Sequence, residues 1–169
     1  MLDKNTNHRS ELIAEMQQFI QNFSSVQIAT ADKHNQPEAS YAPTLFANGG
    51  FYLYLSHLAK HSRNLQQNPL ASLLFIESED KSVDIFERQR ASFSCEVTII
   101  SRDSQQWQTV LELMQQQHGA TVEMIRPLTD FTLYFCQPQH INFVKGFAQA
   151  YRFNAQEWQQ ACNHSAHTA

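Results

Sequence analysis

The chain has 169 residues and a mass of 19.5 kDa, which fits a single domain of ordinary size. Its 42% hydrophobic and 11% aromatic content excludes a disordered chain, and no apolar run is long enough for a transmembrane helix. A net charge of −4 argues against a general nucleic-acid binder, three widely spaced cysteines argue against disulfide and zinc scaffolds, and four glycines exclude the glycine-rich phosphate loops.

The first third of the chain predicts one helix and three strands. Apolar residues with helical spacing follow Ser10, which is a suitable capping residue, and continue to Phe23. The polar start has no apolar leader segment behind it, so we expect a cytoplasmic protein. Asn48-Gly49-Gly50 predicts a tight hairpin turn. Short apolar or alternating apolar and polar segments, bounded by turn residues, predict strands at residues 25–30, 39–46 and 51–55.

The remainder predicts a short helix over residues 56–65, capped by Ser56, and a long helix that Asp103 caps and Gly119 ends. Three apolar cysteine-containing segments suggest that the thiols are small buried side chains. The other predicted elements are strands at residues 71–76, 91–100, 131–135 and 141–153, a terminal helix at 156–162, and a loop after it.

This order of elements predicts a mainly β protein with flanking helices. The strands do not alternate with helices, so we expect antiparallel, Greek-key-like pairing in a closed or nearly closed barrel of six to seven strands. We divide the chain into a helical arm at residues 1–24, a barrel domain at 25–153 and a C-terminal segment at 154–169.

Three groups of residues could carry chemistry, and each also has an ordinary structural explanation. Lys60, His61 and Arg63 could bind an anion at a helix N-terminus, or could form a solvated helix face. Asp130 could be a functional carboxylate or a turn residue before a strand. The tail histidines could bind a metal or be inert; they are His164 and His167.

Four motifs together carry a family resemblance. They are SYAP at residues 40–43, SHLAKHSRNL at 56–65, LTDF at 128–131 and FVKGFAQAY at 143–151. With them the chain resembles the HugZ/HutZ haem-utilisation proteins, a branch of the pyridoxamine-phosphate-oxidase-like, FMN-binding split-barrel superfamily. The resemblance extends from about Val26 to the tail.

The resemblance implies a homodimer of split β-barrels with haem at the dimer interface. It also implies a haem-degrading enzyme that uses O₂ and an electron donor or reductase, with no nucleic acid and no membrane insertion. A histidine of the C-terminal tail is then the axial ligand of the haem iron. The count of residues after Tyr151 favours His167, and His164 is the alternative. Asp130 is then the carboxylate that holds this histidine. The implied cofactor-binding positions also include the interface residues His61 and Arg90, and the possible propionate partners Lys60, Arg63, Arg90 and Lys145.

Two rival functions fit the same residues. An FMN-dependent oxidoreductase would use the parent fold, but His61 stands where flavin-binding relatives usually carry Lys or Arg. A haem store or carrier would need the same ligand as an enzyme. Ala148 departs from the family motif, in which glycine is common, and the extra methyl group matters if the backbone there has a positive φ.

Overall fold

A computed structural model describes residues 4–165, and side chains from residue 8 to residue 163. No helix in these described ranges is both long enough and apolar enough to cross a membrane. The elements in chain order are α1 (Lys4–Ile20), β1 (Ser25–Ala31), β2 (Pro37–Pro43), β3 (Leu45–Ala47), β4 (Gly50–Ser56), α2 (Lys60–Gln67), β5 (Leu70–Ile76), β6 (Arg90–Ile100), α3 (Gln105–His118), α4 (Ala120–Ile125), β7 (Phe131–Gly146), β8 (Gln149–Asn154) and α5 (Ala155–Ser165).

The strands form one antiparallel sheet in the order β2-β1-β5-β6-β7-β4-β3, and β8 pairs with β7. This confirms the predicted mainly β, split-barrel class. The described part of the sheet has eight strands because Thr44 divides the predicted strand 39–46 into β2 and β3. These two outer strands are consecutive in sequence, yet no ladder described for residues 4–165 joins them. The sheet is therefore not closed, which leaves the nearly closed form of the two barrel forms expected from the sequence.

Strand β7 is the longest strand, with 16 residues. Its first part, Phe131–Cys136, pairs with β4, and its last part pairs with β8 on the same side. The prediction of a break between residues 136 and 140 was wrong. Pro138 lies within the strand, opposite a register shift between Ser94 and Cys95 of β6. Such a bulge accommodates a proline because it locally removes the need for a ladder hydrogen bond.

Two hydrophobic clusters stabilise the fold, and β4 separates them. Phe51, Leu53 and Leu55 face the cluster under α1 and α5, whereas Tyr52 and Tyr54 face the cluster under α3 and α4. Both faces of β4 are covered, which explains its continuous apolar sequence. β1 and β5 instead alternate between buried and exposed residues, so their outer face is open.

Several predicted helix boundaries shift. α1 already begins at Lys4, α5 continues to Ser165, and a further short helix, α4, follows Gly119. The capping prediction at Asp103 was wrong, because Ser104 is the N-cap of α3 and its side chain accepts a hydrogen bond from the Trp107 amide at 3.2 Å. Gly119 ends α3 as predicted, with φ of 77°.

Two tight turns use left-handed backbone conformations. Asn48 and Gly49 have φ values of 55° and 73° in the β3–β4 hairpin, which confirms the predicted turn. The turn between β7 and β8 contains Ala148 with φ of 57°. The methyl group at this position is therefore strained, because left-handed backbone is unfavourable for alanine.

We predict that Ala148→Gly stabilises the protein. Relief of about 1–2 kcal/mol of left-handed strain exceeds the roughly 0.5–1 kcal/mol of extra chain entropy that glycine loses on folding. The free energy of unfolding, measured with denaturant at fixed protein concentration, should rise by about 0.5–1 kcal/mol. Ala150→Gly, on the extended strand β8 of the same hairpin, is the control and should destabilise. Equal losses for both variants would contradict the assignment of strain.

Candidate functional site

Asp130 is fixed where β4 ends and β7 begins. Ser56, the last residue of β4, pairs with Phe131. Its Oγ donates a hydrogen bond of 2.8 Å to Oδ2 of Asp130 and accepts one of 3.1 Å from the Leu58 amide. The His57 amide donates to the backbone carbonyl of Asp130 at 2.7 Å. Both the side chain and the backbone of Asp130 therefore bind the segment that leads into α2.

These contacts also explain where α2 begins. The helix starts at Lys60, after Ala59, and has no side-chain cap. The predicted cap by Ser56 was wrong, because its hydroxyl serves Asp130 and the turn at Leu58. His57, which sequence reasoning did not select, lies in the same turn with Nε2 at 2.7 Å from Thr132 Oγ1.

Two cations of α2 already have partners within the chain. Lys60 Nζ lies 2.5 Å from Glu38 Oε2 on β2. Arg63 Nη1 donates to the carbonyl oxygens of His57 at 3.1 Å and of Leu58 at 2.6 Å. Among the contacts described, Lys60 is neutralised by a carboxylate, whereas Arg63 binds neutral carbonyls and keeps its net charge for an anion.

His61 is half-buried between α2 and β2. Its Nδ1 lies 2.9 Å from Ser40 Oγ, a residue of the SYAP motif. Burial lowers the pKa of His61 from the ordinary 6.5, and the nearby Glu38 carboxylate partly offsets that shift. The imidazole is therefore neutral at pH 7.

Arg90 and Lys145 lie at the other end of the barrel. Arg90 opens β6 and pairs with Val144, the neighbour of Lys145, near the far end of β7 from Asp130. Arg90 Nη1 donates to the Arg88 carbonyl at 3.0 Å, and Lys145 Nζ lies 2.6 Å from a carboxylate oxygen of Glu15. One chain thus divides the predicted site residues into two groups: Asp130, Lys60, His61 and Arg63 at one end, Arg90 and Lys145 at the other.

The C-terminal helix α5 packs against α1, whose Glu15 binds Lys145 of the second group. Trp158 Nε1 donates to the Gly49 carbonyl at 2.7 Å, and Gln17 Nε2 donates to Cys162 Sγ at 3.2 Å. His164 belongs to the last turn of α5, but its side chain lies outside the described residues, and His167 lies outside them entirely. No group of three metal-ligating side chains occurs between residues 8 and 163.

Sequence reasoning missed an arginine clamp beside Asp130. Arg102 donates to the carbonyl oxygens of Arg126 at 2.8 Å and Leu128 at 3.1 Å. The guanidinium groups of Arg102 and Arg126 lie 5.2 and 5.3 Å from the Trp107 ring centroid. This clamp fixes the turn that leads to Asp130. No local sequence signal could have revealed it, because two distant stretches, residues 102–107 and 126–128, form it.

The cysteines are free thiols within this part of the molecule. Cys95 and Cys136 are buried, as predicted, and Cys162 is half-buried. Burial raises the pKa of Cys136 to about 12 and that of Cys162 to about 11. None of the three is therefore activated as a thiolate.

Comparison with known proteins identifies the family. The sequence pattern of the pyridoxamine 5′-phosphate oxidase family matches residues 12–145, and the chain belongs to this family. The chain is also 35% identical over 149 residues, 88% of its length and 85% of the relative, to a Vibrio cholerae serotype O1 protein named heme oxygenase HutZ. These findings confirm the resemblance seen in the motifs.

Solved structures of related proteins agree with this family resemblance. The crystal structure of HutZ, described as the heme storage protein from Vibrio cholerae, is 36% identical and has a TM-score of 0.74, covering 79% of this chain and 94% of that chain. Campylobacter jejuni ChuZ is 28% identical with a TM-score of 0.80, covering 88% of this chain and 61% of that chain. A heme-binding protein from Mycobacterium smegmatis, at 16% identity and a TM-score of 0.75, covers 95% of this chain and 62% of that chain and shows the fold alone.

We predict that His61 titrates below pH 6.5 in the folded protein. Because its folded pKa is lowered, the unfolded state binds more protons below pH 6.5, so His61 reduces stability as the pH falls. Glu38→Gln should lower the pKa further, because the carboxylate raises it. Histidine NMR titration of both proteins checks this, and an unchanged or higher midpoint in Glu38→Gln would refute it.

Proposed function

We propose that the protein binds haem as its substrate and degrades it oxidatively, with O₂ and an electron donor, to release iron. The observation that carries this proposal is the 35% identity, over most of both chains, to the relative named heme oxygenase HutZ. The fixed carboxylate of Asp130 adds a chemical reason, because a carboxylate that accepts the second N–H of a ligating imidazole makes that imidazole a stronger donor to iron.

We assign the axial ligand to His167, with His164 as the alternative. Haem supplies the iron at which O₂ chemistry takes place. The chain's part is to ligate that iron, to keep a proton on the outer ring nitrogen of the ligand, and to stabilise the haem carboxylates. The described side-chain bond of Asp130 uses Oδ2, which leaves Oδ1 to accept the imidazole N–H.

The separation of the two groups supports a homodimer. Cys162 of α5 packs on Gln17 of α1, a helix whose Glu15 binds Lys145, whereas Asp130 lies at the opposite end of β7. A second copy in antiparallel orientation would bring the tail and Arg90 of one chain to Asp130 of the other. The open outer face of β1, β5 and β6 carries a groove of about 500 Å³ that a partner could cover.

The contacts also rank the candidate propionate partners. Lys60 and Lys145 are in ion pairs with Glu38 and Glu15. Arg63 and Arg90 donate only to carbonyl oxygens in the contacts described for them. We therefore favour Arg63 and Arg90, because a carboxylate bound to them need not displace an existing one.

Haem storage without degradation is the second candidate function, because one structural relative is described as a heme storage protein. FMN is the weaker alternative ligand, since His61 is neutral at pH 7 and donates less to a phosphate than a lysine would. The cytoplasmic location and the absence of nucleic-acid partners remain predictions from the sequence.

Titration with haemin tests the ligand assignment. We expect wild type to give the Soret band of a histidine-ligated haem, His167→Ala to lose that signature, and His164→Ala, its matched control, to keep it. The reverse pattern would move the ligand to His164. Binding by both variants as in wild type would contradict a ligand from the tail.

We expect parallel titration with FMN to give no stoichiometric complex. In a separate measurement, we expect light scattering to give a dimer at micromolar concentration. Stoichiometric flavin in the purified protein would favour the oxidoreductase. A stable monomer that binds haem normally would contradict the shared site.

A further inference from the structure

We propose that Ser56 is a positioning residue for Asp130, and that its hydroxyl sets the direction in which the carboxylate accepts the N–H of the haem ligand. This inference rests on the proposed function. It concerns the last residue of β4, which has no direct contact with a ligand in the proposed site. Ser56 acts through Asp130 alone.

The hydrogen bonds define which way the Ser56 proton points. The Leu58 amide can only donate, so Ser56 Oγ accepts at 3.1 Å. The hydroxyl proton is then free to point at Oδ2 of Asp130, 2.8 Å away. An ionised carboxylate has no proton of its own, so this direction is the only one available.

Ser56 thereby gives the two carboxylate oxygens of Asp130 different partners. Oδ2 is occupied by the hydroxyl, and Oδ1 is directed to an incoming donor. The backbone does not permit the pair to drift apart, because Ser56 is paired with Phe131 and the His57 amide binds the Asp130 carbonyl. The carboxylate is preorganised, and it does not have to give up rotational freedom when the ligand histidine binds.

The same contacts allow a simpler role, in which the hydroxyl only stabilises the turn before α2. The two roles differ in one respect. A positioning role needs the carboxylate at Asp130, whereas a turn-stabilising role is the same with or without it. A double-mutant cycle therefore separates them.

The cycle uses Ser56→Ala, Asp130→Asn and the double variant, with Ser56→Thr as the conservative variant that keeps the hydroxyl. Ser24→Ala is the control, since Ser24 is an exposed serine before β1 that belongs to neither group of candidate site residues. The readouts are the rate of haem loss under ascorbate and O₂, the iron–histidine stretching frequency of the ferrous complex, and the thermal midpoint.

We expect Ser56→Ala to slow haem loss by up to about tenfold, the lower end of the effect of losing the direct partner of a metal ligand, which here is Asp130, and to shift the iron–histidine frequency. The double variant should be no slower than Asp130→Asn, Ser56→Thr should recover most of the rate, and Ser24→Ala should match wild type. Independent, multiplicative losses in the double variant would overturn the inference, as would an unchanged rate in Ser56→Ala beside a slowed Asp130→Asn.

Failure of the proposed function gives a different result. If wild-type protein binds no haemin, or binds it without any loss under ascorbate and O₂, the enzymatic proposal fails and the inference fails with it. If wild type is active and only the Ser56 variants depart from expectation, the function stands and the positioning role is wrong.

Discussion

The pairing of β4 with β7 is the constraint on which the rest of the structure depends. It sets Ser56 opposite Phe131, and this register places the Ser56 hydroxyl against Asp130. A slip of one residue would turn every side chain of β4 to the wrong face, and both hydrophobic clusters would lose their shared wall. The core and the candidate site are thus specified by one set of hydrogen bonds.

The long strand β7 separates the two groups of candidate site residues. Asp130 precedes its first residue, and Lys145 lies next to its last. A strand is too stiff to bring its own two ends together, which is the reason for our proposal that a second copy of the chain completes the site. Each group contains an arginine, Arg63 or Arg90, that donates only to neutral carbonyls in the contacts described.

Local chemistry allowed much of this fold to be predicted. The turn at Asn48-Gly49 and the end of α3 at Gly119 follow from backbone preferences that asparagine and glycine have in any protein. The motifs containing Asp130 and His61 predicted residues that the structure places at the same end of the barrel, and their role in the site stays a prediction.

Other features depend on distant partners and were not predictable locally. Pro138 is typical of a strand break, and only the bulge that β7 forms at Gln139 against β6 makes it compatible with a continuous strand. Ser56 reads as a helix cap until its pairing with β7 is known. The arginine clamp around Trp107 requires the close approach of α3 and the turn after α4.

The most direct test of the account is the fate of iron in haemin-loaded wild-type protein given ascorbate and O₂. A ferrous chelator in the same cuvette reports released iron while the Soret band reports intact haem. We predict that the Soret band decays and that iron appears in proportion to the haem lost. A Soret band that persists under turnover conditions, with no iron released, would contradict a haem-degrading enzyme and leave a haem store.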